Sequence, residues 1–380
     1  RAMFEEGKKM AKVYGPENVY DFSVGNPGLH PPKEYREAIN YVNNEMDPHL
    51  VHGYMPNAGF ESTRTAVAEN LNKRFGSNFT FENIIMTVGA GSSINVIMKT
   101  IFDPGDKQVV FAPYFVEYAN WASNYHAETV VVPPNEANGF EPDPEALKKA
   151  LDPKVKVVII NNPNNPTGAI YSRETLEKIA EVLKEAEKEY GHPIYIITDE
   201  PYRELVYVDK EIVFIPDLYD NTIIAYSWSK SLSIPGDRLG YLAVSPKSDN
   251  VEEFMAAATV ANRISGDTNA PSIIQLAVER CLDAQVDIPY YKKNAEDLYK
   301  IVTDAGFTAV VPQGAFYLWV KSPVADEKEL VAAAKEERIL AVPGSAFACP
   351  GYIRLSFCIS NETIQRSAES FAKLGKKYFG

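Results

Sequence analysis

The stretch SWSKSLSIPGDRLG, from Ser227 to Gly240, follows an apolar run and places Lys230 among serines, with Arg238 eight residues further on. Serine hydroxyls can donate hydrogen bonds to a phosphate, and a guanidinium can contact two of its oxygens. A partly buried lysine beside other positive charge has a lowered pKa, and a neutral amine can attack a carbonyl to form an imine. Most lysines are simply exposed, so this interpretation depends on what the rest of the chain supplies.

Short apolar runs alternate with helical stretches from about residue 80 to residue 245. The runs are NIIMTVG, KQVVFAP, KVKVVIINNP, PIYIITDEPY, NTIIAYSWSK and GYLAVSP. Such alternation predicts an α/β fold with a mostly parallel sheet flanked by helices. The runs are continuously apolar, as is typical of strands that are covered on both faces.

The chain of 380 residues is long enough for two domains. We expect residues 1–35 to join a smaller α/β domain and residues 36–270 to form a large domain around the sheet. Residues 271–380 should supply a long linking helix, starting in PSIIQLAVERCLDAQ, and the rest of the small domain. The clearest helix signal lies in residues 171–190, where Ser172 can cap the first turn.

Composition argues against several classes of protein. A net charge of −13 disfavours nucleic-acid binding, because such proteins need a basic surface. Three widely spaced cysteines fit a reducing compartment, and five scattered histidines without a metal motif argue against a metal site. No apolar run approaches the roughly 20 residues that span a membrane, and the charged N-terminal stretch does not resemble a signal peptide. We therefore expect a cytoplasmic protein without metal, nucleic acid or membrane partners.

Four strand ends carry residues suited to binding, at the edge of the sheet where open α/β folds hold ligands. In TVGAGSS, a glycine-rich turn leads into a helix whose unpaired N–H groups can hold a phosphate. Asn165 lies between the prolines of NNPNNPTG, and Asp199 ends a strand three residues before Tyr202. Each of these signals alone also fits an ordinary turn or helix cap. Together with Lys230 they place an anion cradle, an amide, a carboxylate and an amine at one edge.

The order of these motifs resembles the fold-type I pyridoxal-phosphate (PLP) enzymes, and within them the class I/II aminotransferases similar to aspartate aminotransferase. The series runs nearly from end to end: GNPG, HGYMPNAG, VGAGSS, APYFVEY, NNPNNPTG, TDEPY, SWSKSLSIPGDRLG and YIRLSF. The resemblance implies that residues 36–270 bind PLP and that both chain ends build the smaller domain. It also implies ping-pong transfer of an amino group from an L-amino acid to a 2-oxo acid such as 2-oxoglutarate.

The resemblance assigns the catalytic and ring-binding roles. Lys230 is expected to hold the cofactor's aldehyde as an internal aldimine and then to shuttle a proton as the pyridoxamine phosphate form appears. Asp199 is expected to pair with the protonated pyridine nitrogen. Asn165 and Tyr202 are expected to hydrogen-bond the phenolic oxygen of the ring, and Phe115 to stack on the ring.

The resemblance also implies a phosphate site and a homodimer. The expected phosphate ligands are the backbone amides of Ala90 and Gly91 with the side chains of Ser227, Ser229 and Arg238. Tyr54, in HGYMPNAG, is similar to a tyrosine that reaches a phosphate across the dimer interface. An ordinary exposed loop tyrosine is the alternative for this residue.

The substrate is expected beside Gly25 and Asn165, with Arg354 contacting its α-carboxylate through two hydrogen bonds. A dicarboxylic donor needs a second cation, and Arg263 in ANRISGDTNAPS is the candidate. Strict alignment with the family places Ile264, and not Arg263, at the position of this second cation. A surface or dimer-contact role therefore fits Arg263 equally well. Aspartate or glutamate is the preferred donor, and alanine or aromatic amino acids are the alternatives.

Three other functions compete with that of an aminotransferase. A PLP-dependent carbon–sulfur lyase would use the same lysine, aspartate and arginine, so the motifs do not separate the two reactions. A nicotinamide oxidoreductase is disfavoured because Ile94 stands where GxGxxG needs its third glycine. The aminotransferase-like half of a transcription regulator needs a DNA-binding segment, and only residues 1–24 precede GNPG in this chain.

Overall fold

The structure is a computed structural model that describes residues 2–380, with a seven-stranded sheet, a three-stranded sheet and a two-stranded pair. The strands are β1 (Tyr20–Asp21), β2 (Ile84–Thr87), β3 (Lys107–Phe111), β4 (Glu128–Val132), β5 (Val155–Asn161), β6 (Tyr195–Asp199), β7 (Thr222–Ser227), β8 (Gly240–Val244), β9 (Tyr317–Lys321), β10 (Ile339–Leu340), β11 (Val342–Pro343) and β12 (Tyr352–Ser356).

Helices surround these strands along the whole described chain. They are α1 (Ala2–Tyr14), α2 (Lys33–Glu45), α3 (Pro48–His52), α4 (Glu61–Phe75), α5 (Ala90–Ile101), α6 (Glu117–Ser123), α7 (Pro144–Ala150), α8 (Arg173–Tyr190), α9 (Trp228–Ser231), α10 (Val251–Ile264), α11 (Ser272–Val278), α12 (Ile288–Asp304), α13 (Glu327–Glu336), α14 (Asn361–Arg366) and α15 (Ala368–Phe379). Within residues 2–380, none of them is long and apolar enough to cross a bilayer.

The large sheet confirms the predicted α/β fold. Its strand order is β2-β8-β7-β6-β5-β3-β4. The strands from β7 to β4 run parallel, whereas β8 is antiparallel to both of its neighbours. Parallel strands end at the same edge of a sheet, so the polar residues that follow β5, β6 and β7 are brought together.

Helices cover both faces of this sheet, because its strands are apolar on both sides. Ile159 and Ile197 pack in one core cluster with residues of α5, α6 and α10. Ile160 and Ile196 point to the opposite face, where they pack with residues of α7 and α8. Successive residues of a strand face opposite sides, which explains why these strands read as continuous apolar runs.

The helix signal of residues 171–190 is confirmed by α8. The Ser172 hydroxyl accepts a hydrogen bond from the backbone N–H of Thr175, and this caps the first turn. Gly191 ends the helix with a φ of 75°, a left-handed conformation that glycine adopts without steric cost.

The prediction of one long linking helix that starts in PSIIQLAVERCLDAQ is wrong. Two helices, α11 and α12, occupy this region, and residues 279–287 separate them. The carboxylate of Asp287 accepts a hydrogen bond from the backbone N–H of Tyr290 at 3.1 Å. Pro289, which has no N–H to donate, occupies the first turn of α12. This pair of residues starts a new helix and does not continue an old one.

Residues from both chain ends share a second hydrophobic core. Strand β1 pairs in parallel with β10, with Tyr20 opposite Ile339. Phe22 packs in one cluster with Leu298 and Phe371, which belong to α12 and α15. This packing supports a small domain built from both ends. The residue limits 1–35, 36–270 and 271–380 stay a prediction.

A buried ion pair lies in the segment that follows β6. Arg203 Nε donates to Glu200 Oε2 at 2.6 Å, and the two side chains are 2% and 4% exposed. The guanidinium also lies 4.6 Å from the ring centroid of Tyr226. A buried cation that loses its only carboxylate partner is left as an uncompensated charge, which strongly destabilises the fold.

We expect Glu200→Ala to lower the free energy of unfolding by about 3–5 kcal/mol, because it leaves the Arg203 guanidinium without a partner of opposite charge. Denaturant unfolding followed by circular dichroism measures the change. Glu174→Ala is the matched control, since Glu174 forms an exposed pair with Lys178 at 2.7 Å and should have no measurable effect. Equal losses in the two variants would contradict the expectation.

Candidate active site

A cavity of about 430 Å³ opens where β5, β6 and β7 end. Its lining comes from separate segments of the chain that the fold brings together. The lining residues are Val24, Gly25, Asn26, Ala90, Gly91, Ile94, Phe115, Tyr118, Trp121, Asn161, Asn165, Asp199, Pro201, Tyr202, Lys230, Tyr317 and Arg354. This is the sheet edge at which the sequence predicts a ligand.

Most of the predicted site residues line this one cavity. They are Gly25, Ala90, Gly91, Phe115, Asn165, Asp199, Tyr202, Lys230 and Arg354. Three further predicted residues, Ser227, Ser229 and Arg238, lie next to it around the start of α5. The last two, Tyr54 and Arg263, are not part of its lining.

The start of α5 forms an anion-binding corner. Gly89 precedes the helix with a φ of 88°, which a residue with a side chain rarely adopts. A Cβ at Gly89 would lie 2.6 Å from Arg238 Nη2, so the glycine lets this guanidinium approach the turn. The guanidinium also donates to Val88 O at 3.0 Å. Free N–H groups of Ala90 and Gly91, the helix dipole and a guanidinium together suit a phosphate.

Two buried serines complete this corner. The Oγ atoms of Ser227 and Ser229 are 2.7 Å apart, and Ser227 Oγ accepts from the N–H of Ser229. Gly240 on β8 pairs with Thr87 on one side and with Ser227 on the other. This pairing places the end of β7 directly beside the turn that starts α5.

Lys230 points into the cavity from α9. Its Nζ donates to the carbonyl oxygen of Gly25 at 2.7 Å. Burial lowers the pKa of Lys230 to about 8, and the positive charges of Arg354 and Arg238 act in the same direction. A substantial fraction of the amine is therefore neutral in mildly alkaline solution. The predicted imine-forming amine has the charge state that this chemistry requires.

Asp199 is a buried carboxylate at the end of β6, only 6% exposed. Burial raises the pKa of Asp199 to about 7, whereas a hydrogen bond from Tyr118 works against this rise. Tyr118 Oη donates to Asp199 Oδ2 at 2.5 Å. The other oxygen, Oδ1, has no hydrogen-bond partner among the described residues. An unpartnered carboxylate oxygen beside a cavity fits a cationic N–H of a ligand.

Tyr118 is fully buried and contacts Asp199, but it is not among the residues predicted from the sequence. Phe115, Tyr118 and Trp121 recur at intervals of three and all line the cavity. The Phe115 ring lies 5.7 Å from that of Tyr118 and 6.0 Å from that of Trp121, both edge to face. Tyr118 and Trp121 are three residues apart on α6, and this spacing puts side chains on one face of a helix. It is the local signal for Tyr118 in APYFVEYANW.

Arg354 is a buried guanidinium on β12, 8% exposed. Its Nη1 donates to Asn165 Oδ1 at 3.0 Å and its Nη2 to Ser23 O at 2.9 Å. Its Nε has no hydrogen-bond partner in the described part of the chain. Both of its contacts are to uncharged oxygens, and a buried cation of this kind is costly unless it meets an anion. The position therefore fits a bound carboxylate.

Tyr202 lies on the loop after β6, and its hydroxyl forms a hydrogen bond with that of Tyr317, which was not predicted from the sequence. Its Oη lies 2.7 Å from Tyr317 Oη. Burial raises the pKa of both hydroxyls, so both keep their protons at neutral pH. Tyr317 begins β9 far along the chain, and no sequence motif connects it with Tyr202.

Tyr54 and Arg263 lie outside the cavity of their own chain. Tyr54 is 96% exposed, and Arg263 is exposed in the last turn of α10. A role for either residue in a site requires a second copy of the chain. Their predicted contacts with phosphate and substrate stay predictions.

The groups around this cavity match the chemical groups of PLP. The α5 corner suits its phosphate, Lys230 suits its aldehyde, and the free Asp199 oxygen suits its pyridine nitrogen. Fold and cavity thus define an α/β enzyme of the PLP-binding class.

Comparison with known proteins gives the family. The sequence model of the aminotransferase class I and II family matches residues 17–371. The aspartate/prephenate aminotransferase of Thermus thermophilus is 32% identical over 363 residues, covering 93% of this chain and 90% of that protein. The aromatic-amino-acid aminotransferase 2 of Thermococcus litoralis is 30% identical over 380 residues, covering 95% and 92%. The crystal structure of an aminotransferase from Eubacterium rectale superposes with a TM-score of 0.97 at 40% identity, covering 100% of this chain and 96% of that chain.

The chain therefore belongs to the class I and II aminotransferases. It is a PLP-dependent transaminase of fold type I, and the predicted fold, enzyme class and cofactor are confirmed. The nicotinamide oxidoreductase is excluded by this family membership.

We expect Asp199→Asn to stabilise the cofactor-free protein more in alkaline than in acidic solution. Burial holds the pKa of Asp199 at about 7 in the folded chain, against about 3.9 for an unfolded aspartate. The folded state thus binds more protons between these values, and Asp199 disfavours folding increasingly as the pH rises through this window. An asparagine pays no such cost.

Urea unfolding of wild type and variant at about pH 5 and about pH 8 measures the difference. The gain should be clearly larger at the higher pH. Asp209→Asn, at an exposed position, is the matched control and should give no pH-dependent gain. An equal gain in stability for Asp199→Asn at both pH values would contradict a raised pKa of Asp199 as the cause.

Proposed function

We propose that this transaminase takes its amino group from a dicarboxylic L-amino acid, with aspartate as first choice, and passes it to a 2-oxo acid such as 2-oxoglutarate. The observation that supports an amino-acid substrate is Arg354, a buried guanidinium whose hydrogen bonds go only to uncharged oxygens. It lines the same cavity as Lys230 and Asp199. The name of the Thermus thermophilus relative favours aspartate as the donor.

Each catalytic residue has one task in this proposal. When bound, PLP supplies an electron sink for the charge that is left when the substrate loses its α-proton. Lys230 Nζ carries that proton, which its lowered pKa favours. Asp199 Oδ1, which has no hydrogen-bond partner among the described residues, would accept a hydrogen bond from the pyridine nitrogen and so stabilise the developing charge. Arg354 contacts the α-carboxylate and thereby orients the substrate.

The remaining cavity residues hold the cofactor and cover the substrate. Asn165 and Tyr202 are proposed to donate to the phenolic oxygen of the ring, and Phe115 to stack on its face. Gly25 brings a backbone carbonyl to Lys230 and is proposed to lie beside the substrate. The proposed phosphate ligands are Ala90, Gly91, Ser227, Ser229 and Arg238.

The second carboxylate of a dicarboxylic donor needs a further cation. Lys230 and Arg354 are the two cations among the residues that line the cavity, and both already have tasks. We therefore propose a homodimer in which a second copy of the chain contributes Arg263 to the substrate and Tyr54 to the phosphate. The full exposure of Tyr54 supports this arrangement, because an exposed tyrosine ring is free to bury itself against a partner.

One alternative has specific support, and a second remains open. The side chains of Ile94, Phe115 and Trp121 form an apolar part of the cavity wall, and one relative is an aromatic-amino-acid aminotransferase. Alanine or an aromatic amino acid is therefore the alternative donor. A PLP-dependent carbon–sulfur lyase on the same fold would use the same charged residues. A cytoplasmic location stays a prediction.

A panel of L-amino acids, read by the absorbance of the PLP-loaded protein, tests the function. Aspartate or glutamate should convert the bound cofactor and yield stoichiometric 2-oxo acid faster than alanine or aromatic donors. Lys230→Ala should fold normally and lose turnover, because Lys230 is the one lysine among the described residues that line the cavity. Lys247→Ala, at an exposed position, is the matched control. Ordinary turnover in Lys230→Ala would overturn the assignment.

The same panel separates transamination from lyase chemistry. A lyase releases pyruvate repeatedly from cystathionine-like substrates without any 2-oxo acid acceptor. Repeated pyruvate release would replace our proposal, whereas a single stoichiometric conversion supports it.

We expect Arg263→Ala to raise KM for aspartate roughly ten- to hundredfold, because a charged hydrogen bond to the second carboxylate is lost. KM for alanine should stay unchanged, since alanine has no second carboxylate. Arg366→Ala is the matched control, because Arg366 is likewise an exposed arginine in the last turn of a helix. An equal effect of Arg263→Ala on both donors would reject the role of Arg263 at the substrate.

A further inference from the structure

We propose that Tyr317 is a positioning residue that orients and polarises the hydroxyl of Tyr202 toward the cofactor ring, while its own ring supports Arg354. This inference rests on the proposed function, because it needs Tyr202 at the phenolic oxygen of PLP. It adds a residue for which neither the sequence motifs nor the resemblance gives a task.

The two tyrosines are held rigidly together in the cavity wall. Their hydroxyl oxygens are 2.7 Å apart. Their rings are perpendicular, with centroids 5.7 Å apart, and Tyr317 and Tyr202 are 3% and 5% exposed. A Cβ at Gly25 would collide with Tyr317 Oη, so the glycine allows the backbone to pass directly over this hydroxyl.

The direction of the hydrogen bond follows from the number of protons. A tyrosine hydroxyl has one proton to donate. If Tyr202 donates its proton to the phenolic oxygen of PLP, the short contact with Tyr317 requires Tyr317 to be the donor. A hydroxyl that accepts a hydrogen bond becomes a stronger donor itself. Tyr317 thus strengthens the contact that Tyr202 makes with the ring and fixes its direction.

The ring of Tyr317 has a second contact, with Arg354. The guanidinium carbon lies 4.3 Å from the ring centroid, a distance at which a cation is attracted to an aromatic face. Strands β9 and β12 are paired with Trp319 opposite Arg354 and Tyr317 opposite Ser356, which makes Arg354 and Tyr317 diagonal neighbours. One side chain therefore touches a residue proposed for the cofactor ring and the residue proposed for the substrate carboxylate.

The charged and titratable groups around the pair are Asp199 and Arg354 near Tyr202, and Arg354 and Cys358 near Tyr317. Lys230 lines the same cavity. All of these groups are retained when Tyr317 is changed to phenylalanine. The variant therefore reports on the hydroxyl alone, whereas leucine at this position removes both the hydroxyl and the ring.

The test uses PLP-loaded protein without any amino donor. The absorbance of the bound cofactor is titrated with pH in wild type and in Tyr317→Phe. A weaker donor at the phenolic oxygen stabilises its deprotonated form less, so the midpoint should rise by a few tenths of a pH unit in the variant. KM for the amino donor should stay unchanged in Tyr317→Phe and should rise several-fold in Tyr317→Leu, because the ring under Arg354 is lost.

The effect must pass through Tyr202, which a double-mutant cycle measures. In a Tyr202→Phe background, Tyr317→Phe should cause no further shift of the midpoint. Tyr219→Phe is the matched control, because it also removes a buried hydroxyl, one that donates to Ile194 O at 2.7 Å in another core cluster. An unchanged or lowered midpoint in Tyr317→Phe, or an equal shift in both backgrounds, would overturn the inference. Failure of the wild type to bind PLP would instead overturn the proposed function itself.

Discussion

The parallel register of β5, β6 and β7 determines where the reactive groups lie. Asn161 pairs with Asp199, and Asp199 pairs with Ala225, two residues before Ser227. Because these strands are apolar on both faces, they are covered by helices, and their polar ends have no other place than the shared edge. Lys230 follows in the short helix α9, so the amine and the carboxylate are held by neighbouring strands of one rigid sheet.

Burial at this edge gives the site its chemistry. The same desolvation raises the pKa of Asp199 to about 7 and lowers the pKa of Lys230 to about 8. Arg354 is also buried, and it donates hydrogen bonds to Asn165 and to a backbone carbonyl. Neither of these described partners carries a negative charge. Such an arrangement costs folding free energy in the chain by itself. Bound groups of opposite charge offset that cost. The site therefore selects ligands that carry a phosphate, a cationic ring and a carboxylate.

Sequence motifs predicted the residues that directly face a ligand and missed those behind them. Lys230, Asp199 and Asn165 stand in short segments whose glycines and prolines shape the local backbone, so each segment signals its role by itself. Tyr118 and Tyr317 act through contacts with residues 81 and 115 positions away. The spacing of Tyr118 from Trp121 is a weak local signal, whereas nothing in the local sequence distinguishes Tyr317 from the other tyrosines among the 22 in the chain.

The sequence by itself determined the α/β fold, the family and the set of groups at the sheet edge, because strand periodicity, turn residues and motif order are local properties of the chain. The break between α11 and α12 was also encoded locally, by Asp287 and Pro289 at the start of α12, but the prediction of one long helix overlooked that signal. Only the tertiary structure decided that Tyr317 meets Tyr202 and Arg354, and that Arg263 lies outside the cavity of its own chain. Those facts depend on how β9, β12 and α10 pack, and packing joins residues that no short stretch of sequence contains.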